Sequence, residues 1–306
     1  MKNLILAVAA LAAASPTAAF AQAPAAIAAP TSTHELGHVR TTLHGTKGPV
    51  VVLIPGMSTP GAVWDDTVAA LAPTHRLLVV EVRGFDGRPA PQNAKDGLLD
   101  GIVADLSADL TARKLKDAMI VGHSLGGLLA LKFGLAHPTQ AKQLLVVDAL
   151  PFFGTVFDGN ATIDSVRPRA VQMRDMMTGG AAVMRAAGEK ARANPPSGDC
   201  GKGMVVDAKA ACKVQLWSLS AEPTVVAEAV YEDVLTDLRK DIAALKMPVT
   251  VLYQAAQDPK ASAERYEADY AALPSATLVP VDKTSHFIML DRPDLFLARL
   301  KAMTAN

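Results

Sequence analysis

The chain is short of cysteine and of net charge, and it lacks the short motifs that hold nucleotides or metals. Cys200 and Cys212 are its two cysteines, and no histidine stands near them at metal-ligand spacing, so a structural zinc site is not expected. Lysine and arginine number 30 against 30 aspartate and glutamate, a formal net charge of zero. That balance argues against nucleic acid or an anionic membrane as partner. There is no G-x-G-x-x-G fingerprint and no P-loop, so no cofactor is expected. There are no internal repeats. Leu4 to Ala14 is apolar and alanine-rich, but too short for a comfortable membrane span.

That apolar run follows Lys2, and Ala19-Phe20-Ala21 then sets small residues at the two positions a signal peptidase reads. Residues 1–21 therefore read as a signal peptide cleaved after Ala21. The mature protein is expected in the periplasm or outside the cell, with no membrane insertion once the signal is removed. An even cysteine count in an exported chain points to a Cys200–Cys212 disulfide. Residues 22–34, rich in alanine and proline at their start, read as a flexible leader.

Half the residues are hydrophobic, enough for a large core within 306 residues. Apolar, strand-like runs recur at residues 49–54, 76–82, 117–121, 143–148, 248–253 and 276–281, and the one at 49–54 is continuous, as expected for a strand buried on both faces of a parallel sheet. Helical spacing lies between them at 59–72, 98–114, 128–137, 262–273 and 292–302. The alternation predicts an α/β fold with a mostly parallel central sheet flanked by helices. It stops between residues 150 and 243, where helical segments near 167–177, 181–193 and 224–235 suggest an inserted, mainly helical cap. The core then falls in two parts, 35–149 and 244–306.

The most informative stretch is Gly122-His123-Ser124-Leu125-Gly126. A predicted strand precedes it and a predicted helix follows, the context of a nucleophile elbow. Such a turn pushes its central side chain outward, while the following helix aims free N–H groups at whatever sits on Ser124. A serine needs a base within hydrogen-bond reach. His286, in the loop between the last strand and the last helix, is placed at the carboxyl edge of the sheet beside the elbow. His34, His38 and His44 precede the core, His75 leads into a strand away from that edge, and His137 ends the elbow helix. His123 adjoins the nucleophile, but its position should aim it elsewhere.

These residues resemble the α/β-hydrolase superfamily, in particular its serine-nucleophile members with a cap inserted in one core domain. The likeness runs from about Glu35 to the end. It implies the order nucleophile, acid, histidine, which Ser124, Asp258 and His286 match. Asp258 is favoured as the acid because the family places it in the loop after the strand at 248–253. Asp148, after the preceding strand, is the rival, and some relatives use that position. The backbone N–H of Leu125, after the nucleophile, supplies one oxyanion donor, and the resemblance gives Met57 as the other. Many relatives have His-Gly where this chain has Pro55-Gly56. Met57, Phe152, Phe153, Trp217 and Phe287 are candidates to line the substrate pocket.

The expected activity is that of an exported serine hydrolase acting on a small or medium-sized ester, or less readily an amide, through an acyl-enzyme on Ser124. A serine at the elbow argues against epoxide hydrolase or haloalkane dehalogenase chemistry, in which resembling enzymes use a carboxylate there. Two alternatives keep the scaffold. One is C–C bond hydrolysis or cofactor-free perhydrolysis with the same triad. The other is a non-catalytic ligand-binding protein.

Overall fold

The computed structural model describes residues 29–201, 203–255 and 258–305. The expected signal segment and its cleavage position lie outside the described residues. Eight strands form one sheet: β1 (Ser32–Glu35), β2 (Val39–His44), β3 (Val50–Ile54), β4 (Arg76–Val82), β5 (Ala118–His123), β6 (Ala141–Val147), β7 (Val249–Gln254) and β8 (Thr277–Val281). Their spatial order is β1-β2-β4-β3-β5-β6-β7-β8. β1 and β2 form an antiparallel hairpin, and β2 also runs antiparallel to β4. From β4 to β8 every pairing is parallel. β1 begins inside the stretch read as leader, because Thr33 and its neighbours pair along β2.

The apolar runs of the inner strands β3 and β5 are continuous because each has a core on both sides, whereas the edge strand β8 is mostly exposed or half-buried. Val50, Val52 and Ile54 of β3 join one cluster, Val51 and Leu53 the other. The first cluster is closed by α2 (Leu98–Ala112), α3 (Leu125–Ala136) and α8 (Pro259–Asp269). The second is closed by α1 (Asp65–Leu71), α9 (Ile288–Asp291) and α10 (Pro293–Thr304).

Between β6 and β7 lie four helices: α4 (Ile163–Gly179), α5 (Ala181–Ala193), α6 (Ala208–Ser220) and α7 (Pro223–Leu235). They form the cap. α6 falls in a stretch where the sequence predicts no element, since Asp207 caps it without a strong apolar stripe beyond. α7 is tied to the core by one side chain. The N-cap of α2, Gly97, has no side chain to satisfy the helix's first N–H groups. Glu232 of α7 does so instead, accepting from Gly97, Leu98 and Leu99 at 2.6, 2.8 and 2.8 Å. A carboxylate there also complements the positive end of the helix.

Glu81 of β4 makes stability depend on pH. Its Oε2 accepts from Gly61 N–H at 2.7 Å, while Oε1 is buried without a partner among the described residues. Burial pushes its carboxyl up to about 7. A raised folded value means the group favours the fold in its protonated form, and that contribution is lost as pH rises through about 7. Glu81→Gln is therefore expected to leave stability unchanged at acid pH and to raise it by about 1–2 kcal/mol above neutrality. Urea melts on both sides of neutrality check this, and equal effects at the two pH values would refute it.

Candidate active site

The elbow is tight because two glycines admit backbone where any side chain would stand. A Cβ on Gly122 would lie 1.8 Å from the Gly126 carbonyl oxygen, and one on Gly126 would lie 2.4 Å from that of Ile54. Ser124 between them has φ 53° and ψ −125°, a left-handed conformation that costs a non-glycine residue energy. It stands between the end of β5 and the first residue of α3. Its N–H donates to Val147 of the neighbouring strand at 2.9 Å, which ties the elbow to the end of β6.

Asp148 is the next residue along β6, also at positive φ, 49°. Its N–H donates to Leu252 of β7 at 2.7 Å. Its carboxylate faces His286, whose Nδ1 lies 2.7 Å from Oδ2. Oδ1 accepts from Gln254 N–H at 2.9 Å and from the Tyr266 hydroxyl at 3.0 Å. Burial first, then the Asp148 charge, hold the Tyr266 phenol well above its usual range, so it stays a donor. A carboxylate can only accept, so Nδ1 of His286 carries the proton and Nε2 keeps its lone pair.

The acid beside His286 is therefore Asp148, and the expectation of Asp258 is corrected. Asp258 is the N-cap of α8, its Oδ1 accepting from Ala261 N–H at 3.0 Å. The reason is strand order. β6 is the immediate neighbour of the elbow strand, so the residue leaving it stands at the elbow. β7 is one strand further out and contributes a backbone donor, Gln254, to the same carboxylate.

His123 lies beneath the His286 loop. It is fully buried, and burial followed by the nearby His286 holds its imidazole well below the usual histidine range. Neutral, it donates from Nε2 to the carbonyl of His286 at 3.0 Å. Its ring packs 4.5 Å from that of Phe287 and 4.6 Å from that of His286. The sequence aims it elsewhere; in the fold it supports the loop that presents the histidine.

A loop of the cap clamps the same segment. Cys200 and Cys212 are joined by a disulfide, their Cα atoms 5.0 Å apart. Closing so short a loop stabilises by about 2–3 kcal/mol in the chain-entropy model. Within it, Gly203 accepts from Ser285 Oγ at 3.0 Å and Met204 from Phe287 N–H at 3.2 Å. Asp291 joins the two segments: Oδ1 accepts from Val206 and Asp207 N–H, and Oδ2 from Ser285 N–H at 2.8 Å.

Ser124, His286 and Asp148 open into one cavity of about 620 Å³ between core and cap. Met57, Leu125 and Phe153 line it, as does Asp258 at the start of α8. Leu125 is the first residue of α3, where an N–H has no partner within the helix. The Met57 N–H donates to no protein group among the described residues. Among the described residues no hydrogen bond joins Ser124 Oγ to the imidazole, a contact that such sites often complete only with substrate bound. Three expected pocket residues stand elsewhere. Phe152 is fully buried in the first core cluster, under the Arg239 guanidinium at 4.6 Å. Phe287 is buried against His123, and Trp217 packs on the second cluster. Sequence reasoning missed Gln254, Tyr266, Met204 and the cap residue Asp233, which also lines the cavity. Gln254 acts through its backbone and the others come from distant elements, so no local pattern marks them.

Comparison with known proteins places the chain in a family. Over 107 residues the chain is 36% identical to a pimeloyl-[acyl-carrier protein] methyl ester esterase of Vibrio atlanticus, covering 35% of this chain and 39% of that one. Over 146 residues it is 30% identical to a 2-hydroxy-6-oxo-2,4-heptadienoate hydrolase of Pseudomonas putida, covering 46% and 52%. The chain thus matches about two fifths to one half of the length of these curated relatives. The enol-lactonase of Burkholderia xenovorans superposes with a TM-score of 0.66 over 91% of this chain and 99% of its own, at 18% identity, a likeness of fold. The model of the alpha/beta hydrolase family matches residues 51–299, most of the chain, and the protein belongs to that family.

Proposed function

We propose that the protein is a serine esterase whose triad is Ser124, His286 and Asp148. The observation that carries this reading is the 2.7 Å contact between Asp148 and Nδ1 of His286, in a cavity shared with a serine on a strained elbow. Nε2 of His286 takes the proton of Ser124 as Oγ attacks the ester carbonyl. The Leu125 and Met57 N–H groups receive the oxyanion. The imidazolium, held by Asp148, gives its proton to the leaving alkoxide, and water then releases the acid by the same steps in reverse order. Similarity to a methyl ester esterase supports an ester as substrate. A fluorophosphonate probe is expected to label Ser124 in the wild type and to label nothing in Ser124→Ala. Labelling at another residue would overturn the reading.

Export is part of the proposal, supported by the Lys2-to-Ala21 segment and by a disulfide in the cap. A non-reducing peptide map of periplasmic protein is expected to begin at Gln22 and to contain the Cys200–Cys212 bridge. A chain that keeps Leu4 to Ala14, or two free thiols, would show it wrong.

A further inference from the structure

The cavity holds two acidic side chains that the proposed mechanism leaves unused: Asp258, whose carboxylate caps α8, and Asp233, whose carboxyl caps nothing. Asp233, on cap helix α7, is 6% exposed yet lines the same cavity as Ser124 and His286. Among the described residues its carboxyl has no hydrogen-bond or ion-pair partner. Its backbone carbonyl closes the end of α7 on Thr236, so the side chain is not needed to end the helix. Arg265, also at the cavity, is exposed and makes no ion pair with it. The carboxyl oxygens of Asp233 reach the cavity and are not sealed in the core, so the group is free to bond to one that enters and displaces poorly held water.

We infer that Asp233 is a specificity-determining residue, and that the preferred ester carries a hydroxyl group apart from the scissile bond which the Asp233 carboxyl hydrogen-bonds. The inference rests on the esterase reading of Ser124. The choice of a hydroxyl follows from the surroundings. Leu128, Leu150 and Val156 make part of the cavity lining apolar, which disfavours burying a second charge there. Burial alone pushes the Asp233 carboxyl up to about 7, toward its neutral form. A hydroxyl accepts from the acid and donates to the carboxylate, matching both forms. An ammonium matches only the carboxylate and loses its own hydration on entry. A substrate carboxylate would be repelled by the ionised form.

The test is a ratio of kcat/KM values, measured by pH-stat. Methyl esters of ω-hydroxyalkanoates are compared with their unsubstituted and ω-amino counterparts. Acetates of terminal diols, against those of simple alcohols, cover the alcohol side. Wild type is expected to prefer the hydroxylated member of one of these series by about tenfold, the effect of one hydrogen bond to a desolvated group. The preference is expected to vanish in Asp233→Leu and to survive in part in Asp233→Asn, whose amide also donates and accepts. Asp233→Ala carries the same expectation as Asp233→Leu and serves if the bulkier variant does not fold. Equal rates for both members in wild type, a better amino ester, or a preference that persists in Asp233→Leu and Asp233→Ala would overturn the inference. If no ester in either series is cleaved in a Ser124-dependent way, the esterase reading falls and this one with it. Cleavage of the plain esters without a hydroxyl preference removes this one alone.

Discussion

Ser124→Ala is expected to lower kcat by about 10⁵ to 10⁶ on any substrate the enzyme turns over, as removal of the nucleophile does in serine hydrolases generally. The variant should remain folded. Ser124 Oγ has no hydrogen-bond partner among the described residues, so its loss orphans no buried group. Backbone strain persists in alanine, because φ at this position is 53°. Ser124→Gly removes the strain as well, since glycine occupies positive φ without the Cβ clash. It is expected to be more stable than Ser124→Ala while equally inactive. The paired measurement is kcat on an activated ester and a thermal melt for all three proteins. Retained turnover in Ser124→Ala contradicts the nucleophile assignment. A glycine variant no more stable than the alanine one contradicts the strain.

What the sequence makes legible follows from period and from closeness along the chain. The strands are readable because a sheet with a core on each face needs apolar side chains at every position, as β3 and β6 show. The elbow is readable because its glycines, its serine and its flanking elements lie close together along the chain. β1 reads as leader because its burial is slight and its partner is β2 alone, leaving little apolar pattern. α6 escapes sequence reading because the bridge at Cys212 and the Asp207 cap define it more than any apolar stripe. Asp148 is legible only as a rival to Asp258, because both follow apolar strands and the pattern along the chain does not say which carboxylate meets His286, 138 residues from Asp148. Tyr266, 118 residues from Asp148, reaches the same carboxylate from another helix and carries no local signal. Phe152 and Phe287 read as pocket residues on composition, yet both are needed to fill core beside the site.

Asp148→Asn is expected to cost about 10⁴-fold in kcat, and Asp258→Asn to cost almost nothing. The asymmetry rests on what each carboxylate touches. In Asp148→Asn the side chain can still accept from Gln254 N–H or the Tyr266 hydroxyl through its one carbonyl oxygen. Its amide nitrogen, a donor, would then face Nδ1 of His286, a donor too in the productive tautomer. The imidazole relieves the conflict by moving its proton to Nε2, and it is then no longer a base toward Ser124. No anion remains to stabilise the imidazolium when it forms. At position 258 asparagine is about as good an N-cap as aspartate, so the bond to Ala261 N–H survives and α8 keeps its start. Both variants are to be measured on one activated ester, with melts to show that neither has unfolded. A pH profile adds a second readout. The tautomer error lowers kcat at every pH, whereas a merely loosened Asp148 loop would raise KM and leave kcat nearly intact. A large loss in Asp258→Asn with none in Asp148→Asn would return the acid to the loop after β7, against the 2.7 Å contact that now assigns it to the end of β6.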